Sequence, residues 1–291
     1  MNLSCSFKFG GLGVALVTPF MPDGQIDWTA LERIVENLIG KGADYLCVLG
    51  TTAETPTLSQ QERMDVLRFV IKCNGGRLPV LAGCSSNCTN TAVEQTRLFC
   101  IDGVDAILTC VPFYNKPSQE GVYRHFKAIA QASEKPLVLY NVPGRTGINM
   151  TAATTLRLAR EFSNIIGIKE ASGKMDQIKE LIDGAPSTFH VISGDDSLAL
   201  ESMRMGAAGV ISVIGNAIPA TFSRLIHSRS DALQQQLQPL YGLLFKEGNP
   251  SGVKALMASR GMLHNVLRLP MVPVSDGLNR EIVEGFAGIT E

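Results

Sequence analysis

The sequence predicts an α/β protein, a (β/α)8 (TIM) barrel followed by a helical C-terminal appendage. Three observations carry that expectation. Eight short apolar runs alternate with amphipathic stretches along most of the 291 residues. The runs are rich in Val, Ile and Leu on both faces, as strands covered by helices require. A glycine recurs where a helical stretch hands over to the next run, giving the compact connection that stacked βα units need. An open, doubly wound sheet is the other architecture such alternation allows.

The strand-like runs are Gly13–Thr18, Tyr45–Leu49, Pro79–Gly83, Ala106–Val111, Leu137–Asn141, Ile165–Glu170, His190–Ser193 and Gly209–Ile214. Between them, apolar side chains at helical spacing mark Thr29–Ile39, Ser59–Ile71, Thr89–Cys100, Glu120–Ala132, Thr151–Glu161 and Ser197–Met205. In Lys41-Gly42-Ala43-Asp44, Asp102-Gly103-Val104-Asp105 and Met205-Gly206-Ala207-Ala208 a helix ends on a glycine and a strand follows at once. Glycine takes left-handed backbone there without a Cβ clash. Ala220–Ser228 supplies the last barrel helix, and Ala232–Phe245 and Gly252–His264 read as further helices with no linker before them. The barrel is therefore assigned to residues 1–229 and a helical region packed on it to residues 230–291.

Composition excludes several classes of function. Lys and Arg number 26 against 27 Asp and Glu, so no basic excess points to nucleic acid and no polybasic run to anionic lipid. No run approaches the ~18 apolar residues of a membrane span, and the amino terminus lacks the early positive charge of a signal peptide. The seven cysteines (Cys5, Cys47, Cys73, Cys84, Cys88, Cys100 and Cys110) are odd in number, contain no CxxC and lie partly in apolar runs. Buried, reduced thiols in a cytoplasmic protein are expected. Cys84 and Cys88 lack a His-rich partner segment, so no metal is expected, and neither a Walker loop nor GxGxxG occurs.

In such a barrel the chemistry belongs at the carboxyl ends of the strands. Lys169 ends the otherwise apolar run Ile165-Ile166-Gly167-Ile168 and faces the barrel mouth if Ile166 and Ile168 face outward. A desolvated ammonium there has a lowered pKa, and the neutral amine can form a Schiff base with a carbonyl. The alternative is a lysine that leaves the strand to pair with Glu170 or another carboxylate. Tyr140, ending the neighbouring run, is either a proton carrier beside that amine or a core phenol. Gly50-Thr51-Thr52 offers hydroxyls and N–H groups to a small carboxylate, or simply a turn before the next helix. Arg145 could clamp a second carboxylate or lie on the surface. Gly194-Asp195-Asp196 reads as a helix cap, and His125, His190, His227 and His264 as structural.

Gly50-Thr51-Thr52-Ala53-Glu54, Pro112-Phe113-Tyr114-Asn115-Lys116-Pro117, Tyr140-Asn141-Val142-Pro143-Gly144-Arg145-Thr146-Gly147, Ile166-Gly167-Ile168-Lys169-Glu170 and Ser193-Gly194-Asp195-Asp196 follow one another along the chain. Their order resembles that of the dihydrodipicolinate synthase and N-acetylneuraminate lyase family of Schiff-base barrels, from about Gly10 to the carboxyl terminus. The resemblance implies a lyase condensing pyruvate with L-aspartate 4-semialdehyde in the diaminopimelate route of lysine biosynthesis. It implies no cofactor beyond the covalent imine of Lys169 with pyruvate. Tyr140 would move protons, Thr51 and Tyr114 would complete a relay, Thr52 would hold the pyruvate carboxylate, and Arg145 would meet the semialdehyde carboxylate. Ile211 and Gly194 would line the substrate site, Ile211 through a backbone group. A homotetramer, a dimer of dimers sharing Tyr114 across the tight interface, is implied as well.

A sister enzyme releasing pyruvate from a 2-keto-3-deoxy acid or N-acetylneuraminate shares Lys169 and Tyr140 but need not share Arg145 or Tyr114. A non-catalytic binding paralogue would have no reason to keep Lys169, Tyr140, Thr51 and Thr52 together. Two departures from the family pattern stand out. Ala53 replaces the usual Gly beside the carboxylate cradle. In the pocket where lysine-inhibited relatives bind lysine, Asn87 matches, but Gln60, Arg63, Thr91 and Phe113 replace residues that include two His, a Glu and a Tyr. Weak or absent lysine feedback is expected.

Overall fold

Eight strands, β1 (Gly11–Ala15), β2 (Tyr45–Val48), β3 (Val80–Gly83), β4 (Ala106–Cys110), β5 (Leu137–Asn141), β6 (Ile165–Glu170), β7 (His190–Ser193) and β8 (Gly209–Ser212), pair in sequence order, and β8 returns to β1. Every pairing is parallel, so the sheet is a closed (β/α)8 barrel rather than an open doubly wound one. The structure, a computed structural model, describes residues 7–291. Cys5 and the first six residues assigned to the barrel lie outside it.

The helices are α1 (Trp28–Gly40), α2 (Gln60–Asn74), α3 (Thr89–Phe99), α4 (Gln119–Ala132), α5 (Pro143–Thr146), α6 (Ala152–Glu161), α7 (Met175–Gly184), α8 (Ala199–Met205), α9 (Pro219–Ser228), α10 (Asp231–Phe245), α11 (Ser251–Ser259) and α12 (Asp276–Phe286). Short polar side chains start many of them. Asp27, Ser118, Thr151, Ser230 and Ser275 each accept a first-turn N–H, and Ser59 forms a reciprocal capping box with Glu62. At the three helix-to-strand joins, Gly42, Gly103 and Gly206 have φ of 87°, 86° and 117°, the left-handed backbone their position demands.

Two-residue alternation divides the strand side chains between two apolar clusters. Ala15, Tyr45, Cys47, Leu81, Leu108, Val138, Ile192 and Ile211 fill the barrel interior. Leu12, Val14, Leu46, Ile107, Leu139, Ile168 and Val191 face the surrounding helices. Leu237, Leu240, Leu244, Val253, Leu256, Leu278 and Ile282, from α10, α11 and α12, belong to that same outer cluster.

The structure departs from the sequence expectations at several elements. β1 runs two residues earlier and ends at Ala15, after which Asn216 captures the Val17 N–H on its side-chain oxygen at 3.1 Å. β8 stops at Ser212 and gives way to a 3₁₀ turn over Ile214–Asn216. Ile166 does not face outward. Leu137 pairs with Ile165 and Val138 with Gly167, so Ile166 is an unpaired bulge residue and packs with the interior cluster. α7 and α12 occupy stretches not assigned to helix, and α11 ends at Ser259 well before His264. The six described cysteines are free, but Cys88 is exposed rather than buried. Among the described residues no helix is long and apolar enough to cross a membrane.

Candidate active site

Tyr140 and Lys169 are register partners at the carboxyl ends of β5 and β6. Their shared parity aims both into the barrel, where Tyr140 is 8% and Lys169 6% exposed. The Lys169 Nζ lies 4.5 Å from the centre of the Tyr140 ring. Gly194, just past β7, makes room: a Cβ there would stand 3.1 Å from Lys169 Cε and 2.6 Å from Ala171 Cβ. The next pair, Asn141 and Glu170, points the other way. Asn141 Nδ2 donates to the Glu170 carboxylate at 3.0 Å and to Asn149 Oδ1 at 2.8 Å, while its own oxygen accepts the Met150 N–H. Glu170 also accepts from the Ser172 N–H and the Gln177 amide, so neutral donors occupy it and Lys169 stays in the barrel.

The loop after β2 builds the proposed carboxylate cradle from two consecutive 3₁₀ turns, Thr51–Ala53 and Thr55–Thr57. Thr18 Oγ1 donates to the Ala53 carbonyl at 2.8 Å, and Thr55 Oγ1 to the Gly50 carbonyl at 2.9 Å. The left-handed residues of this loop are Leu49 (φ 60°) and Glu54 (φ 54°), not Ala53, so the methyl of Ala53 meets no backbone strain. Ile211, on β8, is fully buried against the same interior cluster.

A cavity of about 340 Å³, a volume suited to a small metabolite, opens at the carboxyl ends of β2 to β5, and Thr52, Lys169, Gly194 and Ile211 are not part of its wall. Thr51, Tyr140 and Arg145 line it together with Arg63, Cys110 and Phe113. Arg145 sits on α5, which Pro143 starts, and is exposed at the rim. Burial pushes the Cys47 thiol up to about 11 and the Cys110 thiol upward too, so the cysteines near the site stay neutral. Tyr114 is not brought to the site within the chain. It lies on a loop with left-handed backbone (φ 72°), is 88% exposed and takes no part in the cavity wall.

Asp195 and Asp196 do not cap α8, whose first residue follows Leu198 without a side-chain cap. Asp195 Oδ1 takes the Ser197 N–H and hydroxyl, and Asp196 reaches across to the Val213 and Ile214 N–H groups after β8. That fixes the end of β8, and burial pushes the Asp196 carboxyl up to about 6. Of the residues in the lysine-pocket comparison, Arg63 and Phe113 line the cavity, and Arg63 Nε is engaged by the Thr55 and Leu58 carbonyls. Asn87 gives its carbonyl to the Asn115 amide. Gln60 opens α2, and Thr91 lies in the first turn of α3. Sequence reasoning missed Asn249 and Lys254, which touch Thr52 and Glu54 from the C-terminal region. A lone lysine in the apolar stretch Val253-Lys254-Ala255-Leu256 was the available signal.

A model of the dihydrodipicolinate synthetase family matches residues 8–285. The chain belongs to that family. Among its members, the 4-hydroxy-tetrahydrodipicolinate synthase of Phocaeicola vulgatus is 53% identical over 273 residues, covering 91% of this chain and 92% of its own. The enzyme of the same name from Parabacteroides distasonis is 50% identical over 270 residues, covering 90% and 91%. The chloride-inhibited dihydrodipicolinate synthase from Acinetobacter baumannii, complexed with pyruvate, is a structural match with a TM-score of 0.93 at 39% identity, covering 96% of this chain and 98% of that one.

Proposed function

We propose that this member of the dihydrodipicolinate synthetase family is a Schiff-base lyase with the activity of its named relatives, condensing pyruvate with L-aspartate 4-semialdehyde in the diaminopimelate route of lysine biosynthesis. The observation that carries the reading is Lys169 in the barrel interior beside Tyr140, with its neighbour Glu170 satisfied elsewhere. The neutral Lys169 amine attacks C2 of pyruvate, water leaves, and the iminium draws electrons from C3. Loss of a C3 proton gives an enamine, whose C3 attacks the aldehyde carbon. Tyr140 is the group placed to carry protons in these steps. The covalent imine supplies the electron sink, so the reading calls on no separate cofactor.

Thr51 and Thr52 are assigned the pyruvate carboxylate, and Gly194, which stands against Lys169, and Ile211 are assigned to the same substrate site. Arg145, at the cavity rim, suits the second substrate's carboxylate and favours the synthase over a sister lyase. The 88% exposure of Tyr114 fits a residue that completes a neighbour's relay in a dimer of dimers. Cytoplasmic residence belongs to the same proposal, supported by the free thiols.

Borohydride reduction in the presence of pyruvate, read by intact and peptide mass spectrometry, tests the reading. One reduced pyruvyl group on Lys169, absent from Lys169→Ala, is expected. An unmodified Lys169 would overturn it.

A further inference from the structure

The C-terminal region reaches into the loop after β2 at two points. Asn249, 5% exposed just before α11, donates from Nδ2 to Thr52 Oγ1 at 3.0 Å, across 197 residues of sequence. Two residues beyond Thr52, the Glu54 carboxylate takes the Lys254 ammonium on one oxygen and the Arg268 N–H on the other, the latter at 3.0 Å. The Lys254 and Glu54 side chains are both fully buried. Lys254 also donates to the Val266 carbonyl at 3.0 Å and stands 4.3 Å over the Phe20 ring. Glu54 holds left-handed backbone (φ 54°, ψ 33°), which a residue with a Cβ keeps only where its surroundings over-determine it. The Thr51–Ala53 turn is thus fastened from beyond its end by a charged contact and from Thr52 by a neutral one, neither supplied by the barrel.

The neutral contact has a chemical consequence. A hydroxyl that accepts on one lone pair keeps its proton for another partner. With the Asn249 amide on Thr52 Oγ1, the Thr52 O–H is left to donate toward whatever anion occupies the cradle. We propose that Asn249 is a positioning residue: it orients the Thr52 hydroxyl as a donor to the carboxylate of the 2-oxo acid, so that residues 230–291 complete the barrel's anion site. This rests on the pyruvate-binding function proposed above.

The test is a double-mutant cycle on pyruvate capture. The pyruvate concentration for half-maximal borohydride trapping on Lys169 is measured for wild type, Thr52→Val, Asn249→Ala and the double variant, with melting temperatures and condensation rates at saturating pyruvate alongside. Each single substitution is expected to raise that concentration about tenfold, and the double variant also about tenfold rather than a hundredfold, because both remove one hydrogen-bonded unit. The rate at saturation should fall less than the half-saturation concentration rises. Multiplying effects, or an Asn249→Ala protein that captures pyruvate like wild type, would overturn the proposal. If Asn249→Ala does not fold, Asn249→Ser, which also cannot reach Thr52, is judged by the same criteria. A wild-type chain that traps no pyruvate overturns the functional reading, and the proposal with it.

Discussion

His125 shows how a single buried side chain makes stability depend on pH. Its Nδ1 meets Thr89 Oγ1 at 3.0 Å, and its Nε2 has no partner. Burial pulls its pKa from 6.5 down to about 4. The folded chain therefore keeps the ring neutral while the unfolded chain takes up a proton below pH 6.5, so the stability present above 6.5 drains away as pH falls through 4. Asp196, raised to about 6, acts in the opposite sense over part of that range, so the comparison must be made against a variant. Between pH 6.5 and 4 the wild type should lose about 2–3 kcal/mol more than His125→Gln in urea denaturation. Parallel profiles would rule this out. At this scale the sequence is legible where chemistry clashes with its setting. Lys169 is marked by a charge ending an apolar strand, and the structure buries it in the barrel although Ile166 also faces inward. Asn249 was not legible, because an amide in a loop carries no mark until the fold brings it to Thr52.

Among the elements, the buried pair Lys254–Glu54 joins α11 to the loop after β2. Desolvation pulls the lysine down to about 8, against the smaller upward pull of the Glu54 side chain beside it. Removing one partner leaves the other buried and unpaired, so Lys254→Met should cost about 3–5 kcal/mol. The double variant Lys254→Met with Glu54→Gln should recover roughly half of that loss in chemical denaturation. A neutral single variant would show that the pair contributes nothing to holding the segment. The strands were readable because both-faced apolar runs have few other interpretations, and the turn glycines because left-handed backbone admits few residues. Less was readable where burial is slight or pairing is local. α7 buries only Ile178 and Leu181, and the β6 bulge follows from register with β5, which no single strand encodes.

At the scale of the whole molecule, the placement of Tyr114 ties the proposed relay to assembly. Within the chain it projects from the β4–α4 loop, 88% exposed, while the cavity beside Tyr140 is lined by Phe113 and not by Tyr114. If the relay is completed across a two-fold interface, each site takes its Tyr114 from the neighbour, because a two-fold contact is reciprocal. That arrangement separates two defects that a monomeric site would combine. A Lys169→Ala subunit cannot form the imine but can still lend Tyr114, whereas a Tyr114→Phe subunit keeps Lys169 but lends nothing. Either variant alone should be nearly inactive. Co-expressed in equal amounts, half of the dimers pair one of each and hold one complete site of two, so condensation should return to about a quarter of the wild-type rate. Tyr114 serving its own subunit would leave the mixture as inactive as its parents.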